Sequence, residues 1–219
     1  MTHRVAIVAG ATGLVGRAIL QGLIDDPEVA EAHALGRRAQ PSGRAKLTAH
    51  VIDFARLPAL PPADELYLAL GTTIRDAGSQ SAFRAVDYDA NLAVAKAALA
   101  AGVKRVGLVS AMGADARSRV FYSRVKGELE SELATMPFQG LVIARPSLLE
   151  GNRADLGQRS RRGEELGYAI DRLLGFLIPA NFKPIAATDV AAALLSAVPT
   201  ATGKRILLSG AMRRRPTAG

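Results

Sequence analysis

Residues 5–16 read Val5-Ala6-Ile7-Val8-Ala9-Gly10-Ala11-Thr12-Gly13-Leu14-Val15-Gly16. Five apolar residues run into three glycines spaced Gly-x-x-Gly-x-x-Gly, and a helical pattern begins directly behind them. A buried strand that turns sharply into a helix aims free backbone N–H groups and the positive helix end at one point, which suits a pyrophosphate. Gly10 permits the tight turn, Gly13 lets the backbone approach the phosphates, and Gly16 lets helix and strand pack closely. Thr12, Leu14 and Val15 belong to the same turn and join the expected cofactor-binding set. Strand, glycines and helix come in the order that a dinucleotide-binding turn requires. A P-loop is excluded, because no Gly-Lys-Ser/Thr closes the segment and Arg17 is followed by Ala18.

Outward from that turn, Val15, Ile19, Leu20, Leu23 and Ile24 recur at helical spacing until Asp25-Asp26-Pro27 stops them. Further strands are predicted over residues 31–35, 47–52, 65–70, 104–109, 140–144, 184–187 and 205–208. Helices are predicted over 82–101, closed by Gly102, over 119–135, and after a cap at Thr188 or Asp189. Apolar strands alternating with helices predict an α/β fold, a Rossmann-type doubly wound parallel sheet covered on both faces. The chain is expected to form a single domain over 1–219. Its irregular stretch 150–185, with an amphipathic helix near 166–178, is expected to cover the substrate at the carboxyl ends of the strands.

Composition excludes several classes. No run of 18 apolar residues exists and Met1-Thr2-His3-Arg4 leads straight into the first strand, so neither a membrane span nor a signal peptide is expected. The chain has no cysteine, which excludes disulfides and thiolate metal sites and suits a reducing cytoplasm, the expected location. The three histidines are scattered without metal-ligand spacing, so no metal is expected. The net charge of +8 raises a nucleic-acid partner. However, the arginine clusters at 153–162 and 213–215 lack interleaved aromatics, and a solvated basic face is the better reading. Monomer and homodimer both stay open.

The residue roughly 20 positions beyond the glycines selects the cofactor: an acid accepts from the ribose diol of NAD, an arginine meets the 2′-phosphate of NADP. Here that place holds Gly36-Arg37-Arg38 with no acid, so NADP(H) is preferred over NAD(H). Asp53, followed by Phe54, is expected at the adenine, and Leu70-Gly71-Thr72-Thr73 beside the cofactor's ribose.

A second motif, Tyr122-Ser123-Arg124-Val125-Lys126, sets a phenol and an ammonium one helical turn apart, and Ser110 ends the preceding strand. A phenol, with a pKa near 10, is a weak base at neutral pH unless a neighbouring cation shifts it. Ser with Tyr-x-x-x-Lys, together with the glycine turn, resembles the short-chain dehydrogenase/reductase superfamily. Gly10-Ala-Thr-Gly-x-x-Gly, Ala101-Gly-Val-Lys-Arg105 and Arg145-Pro146 are similar to its atypical members. Leu70-Gly-Thr-Thr, Val86-Asp87 and the stretch Phe121 to Glu130 resemble the Tat-interacting-protein-like oxidoreductases. The likeness spans residues 4–208.

That resemblance implies Tyr122 as general acid or base, Lys126 as the group that tunes it and holds the nicotinamide ribose, and Ser110 as the residue that orients the substrate oxygen. It also implies a nicotinamide pocket lined by Pro146, Ser147, Leu148 and Leu149. Asp87 stands where many relatives carry an Asn, with Asn91 one turn later. The C-terminal part is shorter than in sugar-nucleotide epimerases. The expected activity is NADP(H)-dependent hydride transfer to or from a small carbonyl or alcohol. A cofactor-sensing regulator without turnover is the alternative, and isomerase or dehydratase chemistry a further one.

Overall fold

A computed structural model describes residues 3–38, 44–150 and 179–213. The first strand, β1 (Arg4–Ala9), pairs in parallel with β2 (Val29–Gly36) on one side and β4 (Glu65–Leu68) on the other. With β3 (Leu47–Val51), β5 (Arg105–Val109), β6 (Gly140–Arg145) and β9 (Gly203–Leu208), the sheet order is β3-β2-β1-β4-β5-β6-β9. Every pairing in it is parallel. The strand order reverses between β1 and β4, the switch point at which ligands bind in such sheets. A small second sheet joins β7 (Leu149–Glu150) to β8 (Ile185–Ala186).

Apolar cores lie on both faces, as the sequence pattern of the inner strands requires. One packs Val8, Tyr67 and Val142 under α1 (Leu14–Asp25) and α6 (Ala187–Ala197). The other packs Ile7, Leu66 and Ile143 under α4 (Asn91–Ala100) and α5 (Phe121–Thr135). The outer strands break the expected apolar pattern. β3 and β9 are largely exposed, because an edge strand has only one neighbour to cover it.

The long helix predicted over 82–101 is corrected in detail. The chain makes short helices α2 (Ile74–Ala77) and α3 (Gln80–Arg84), then a widened π turn over Ala85–Ala90 that runs into α4. Asn91 Nδ2 takes up carbonyls of that turn, Val86 O at 3.1 Å and Asp87 O at 3.2 Å. Such bulges collect at functional sites, and this one carries Asp87. The helix expected to start at Thr188 or Asp189 starts at Ala187 with no side-chain cap. The short helix α7 (Ser209–Met212) was not foreseen. Most of the expected cover, 151–178, lies outside the described residues.

Candidate active site

The three glycines of the first turn have different jobs. At Gly10 φ is +89°, and a Cβ there would sit 2.5 Å from the Ala69 backbone. At Gly16 a Cβ would fall 2.1 Å from Gly10 O, so the fold itself demands glycine at both places. Gly13 is different: its backbone is extended and a Cβ would meet only Gly10 O, at 3.4 Å. Packing within the protein therefore does not require glycine at 13. A ligand resting on the turn would. Helix α1 starts there with no side-chain cap, so its first N–H groups are free to meet an anion.

Two adjoining cavities run along the carboxyl edge of the sheet, of about 450 and 530 Å³, sharing Leu70, Gly71, Thr72 and Asp76. Both lie in the size range of ligand pockets. The second holds Gly10, Thr12, Gly13, Arg37, Arg38, Asp53 and Phe54. The first holds Leu14, Val15, Thr73, Ser110, Tyr122, Lys126, Pro146, Ser147, Leu148 and Leu149. The residues singled out by motif thus line one cleft, apart from Gly16, which packs beneath it. Arg37 and Arg38 are exposed at the far end. Asp53 Oδ1 accepts from the Ala55 N–H at 2.9 Å, a turn contact that occupies part of its acceptor capacity.

Helix α5 delivers Tyr122, Lys126 and Glu130 one turn apart along one strip. The Tyr122 ring leans on buried Phe83 of α3, centroids 5.5 Å apart. Lys126 is buried, and its Nζ lies 2.7 Å from Asp87 Oδ1. Burial alone would push the lysine pKa down. The Asp87 carboxylate, with smaller help from Tyr122 and Glu130, more than reverses this, and the ammonium titrates above its ordinary range. Asp87 Oδ2 accepts from the Thr72 N–H at 2.8 Å, which ties the ion pair to the loop after β4. Lys126 thus lines the cavity while paired with Asp87.

Ser110 is also committed. Its Oγ donates to Glu130 Oε1 at 2.5 Å, and Arg145 Nε reaches both oxygens of that carboxylate, at 3.0 and 3.1 Å. Glu130 carried no assignment from the sequence, although its place eight residues beyond Tyr122 puts it on the same helical strip. The wall beyond Pro146 is fixed from behind: Ser209 Oγ accepts from the Ser147 N–H at 2.9 Å and donates to Ser147 Oγ at 3.0 Å. Among the described residues no cluster of His, Cys, Asp or Glu is arranged to hold a metal, and no helix is long and apolar enough to cross a membrane.

No protein-family model matches the chain. Among solved structures it resembles MoeE5 in complex with UDP-glucuronic acid and NAD, with a TM-score of 0.70 at 18% identity, covering 94% of this chain and 76% of that one. It also resembles a short-chain dehydrogenase/reductase superfamily protein from Agrobacterium tumefaciens with bound NAD, with a TM-score of 0.66 at 16% identity, covering 93% and 77%. Both likenesses show the Rossmann-type fold. By sequence the chain belongs to the FMP52 family. It is 36% identical over 176 residues to the mitochondrial protein FMP52 of Eremothecium gossypii, covering 79% of this chain and 76% of the relative. It is 39% identical over 156 residues to the mitochondrial protein fmp52 of Emericella nidulans, covering 67% of each.

These names overturn the cytoplasmic expectation, since the curated relatives are called mitochondrial. That expectation leaned on the missing cysteines, and a chain without cysteine carries no redox mark of its compartment.

Proposed function

We propose that the protein is an NADP(H)-dependent oxidoreductase that moves a hydride to or from a small carbonyl or alcohol, with Tyr122 as proton donor and acceptor. The observation that carries this reading is the meeting of Tyr122, Lys126 and Ser110 in a cavity continuous with the glycine turn. The residues fit the cofactor: the open face of Gly13 and the start of α1 would take the pyrophosphate. Arg37 and Arg38 would take the 2′-phosphate, Asp53 and Phe54 the adenine end, Leu70 to Thr73 the ribose, and Pro146 to Leu149 the nicotinamide. When bound, the nicotinamide supplies or accepts the hydride.

The chain's own part is proton handling and placement. Tyr122, braced by Phe83, gives its hydroxyl proton to the carbonyl oxygen as that oxygen becomes an alkoxide. Lys126, held by Asp87 one turn below, keeps a positive charge beneath the phenol. The solved neighbours named above include one holding a nucleotide sugar.

The test is NADPH oxidation across a panel of aldehydes, ketones and quinones, native against Tyr122→Phe. Turnover in the variant is expected to drop by at least about 100-fold, the low end for a lost general acid, with NADPH affinity held within a few-fold. Full activity in Tyr122→Phe removes that residue from the mechanism. Tight NADPH binding without turnover of any panel member makes the protein a cofactor sensor instead.

A further inference from the structure

Ser110 spends its one hydroxyl proton beneath the cleft. The acceptor, Glu130, is buried. Arg145 donates to it from Nε and, at 2.5 Å, from Nη2, the forked pairing of a guanidinium with a carboxylate. A hydroxyl has one proton and two lone pairs. With the proton turned down to Glu130, Ser110 shows the cavity an acceptor only. A substrate carbonyl oxygen is also an acceptor, so it gains nothing from Ser110 in this state and is left to Tyr122.

Burying a carboxylate is costly to hydration; on α5 its buried neighbours are Lys126, Gly127, Leu129 and Leu133, and the Arg145 ion pair offsets part of the cost. One oxygen of that carboxylate also takes the Ser110 proton. We infer that Glu130 is a positioning residue that fixes Ser110 as an acceptor toward the cleft. The site therefore selects a substrate with a hydroxyl on the carbon next to the reacting one: an α-hydroxy carbonyl compound in reduction, a vicinal diol in oxidation. This rests on the carbonyl-reductase reading above. In the reducing direction the carbonyl carbon gains a hydride as NADPH becomes NADP⁺. Its oxygen gains the Tyr122 proton, which solvent restores, and the adjacent hydroxyl stays intact while donating to Ser110 Oγ.

The test uses the full chain, native and with Glu130→Gln. Glutamine keeps the shape, can still accept from Arg145, and can donate its amide proton to Ser110, which frees the serine hydroxyl to turn as a donor. One readout needs no cofactor: the native protein is expected to show a downfield, exchange-protected hydroxyl proton resonance that vanishes in Glu130→Gln and in Ser110→Ala. The second compares hydroxyacetone with methoxyacetone, whose ether oxygen withdraws electrons alike but cannot donate. The native kcat/KM ratio is expected to favour hydroxyacetone by about tenfold, one hydrogen bond's worth, and both variants are expected to bring it near unity.

An absent resonance, or a ratio unchanged in both variants, overturns the proposal. Should Glu130→Gln fail to fold, Ser110→Ala gives the same ratio. If neither ketone is reduced, the functional reading is decided by the aldehyde, ketone and quinone panel above. The proposal is then decided by ligand-detected NMR on the NADPH-loaded protein, where equal binding of the two ketones, or none, overturns it.

Discussion

The pair Lys126 and Asp87 shows how the Tyr-x-x-x-Lys motif is also a structural commitment. With the ammonium gone, the Asp87 carboxylate is left buried with only the Thr72 N–H as a strong partner. Lys126→Met is therefore expected to cost about 3–5 kcal/mol, the usual penalty for breaking a buried pair from one side. Removing both charges, Lys126→Met with Asp87→Asn, should recover most of that loss in denaturant unfolding. A double variant no more stable than Lys126→Met alone would mean the charges are not coupled. At this scale the sequence was partly legible. Tyr-x-x-x-Lys names two residues by spacing alone, and Gly10, Gly13 and Gly16 declare themselves by period. Glu130 and the ion pair were hidden because their partners come from β5, β6 and the π turn, and contacts between distant residues leave no periodic trace.

In the proposed function, cofactor binding stands or falls on the turn between β1 and α1. Gly13→Val should keep a native circular dichroism spectrum, because an extended backbone tolerates Val and the nearest obstacle to Cβ is one carbonyl oxygen at 3.4 Å. It should nonetheless lose NADPH binding, since the branched side chain fills the place of the phosphates. Normal binding by a well-folded Gly13→Val would move the cofactor off this turn.

On the other side of the sheet, β2 and β3 bring His33 Nδ1 to 3.1 Å from His50 Nε2. Burial lowers the His33 pKa below its ordinary value near 6.5; Glu31 pulls the other way, and His50 adds to the lowering. The unfolded chain then binds the proton more readily than the folded one. Stability is full above that value and falls as pH drops below it. Melting temperature is expected to decline between about pH 7 and pH 5.5, and less so in His33→Gln. An identical decline in the variant would place the loss elsewhere. Element order was readable because apolar runs alternate with helical ones. The π turn was not, since it inserts no residue type that sequence periodicity registers.

Across the whole molecule, the positive charges near the cleft divide into two kinds. Lys126 and Arg145 are spent on buried carboxylates, whereas Arg37 and Arg38 stand exposed at the opposite end. Discrimination between cofactors should come from that end alone. NADPH is expected to bind at least about tenfold more tightly than NADH, from one charge-assisted contact of roughly 1.5–3 kcal/mol. That margin should shrink with added salt, because exposed charges are screened. Calorimetric titrations of native protein and of Arg37→Ala with Arg38→Ala decide it; equal affinities in the native protein, or a margin indifferent to both changes, end the assignment.

The clasp between Ser147 and Ser209 has a consequence in time. The two residues are 62 positions apart, so the loop that walls the cleft beyond Pro146 emerges in synthesis well before the Ser209 hydroxyl. At about 5–20 residues per second the interval is roughly 3–12 seconds. In that interval the chain already contains Lys183, whose carbonyl accepts from Ser147 Oγ, and Ile185, which pairs with Leu149, and still lacks the Ser209 hydroxyl. The wall's last fastening thereby waits until the strand and short helix that follow have been made.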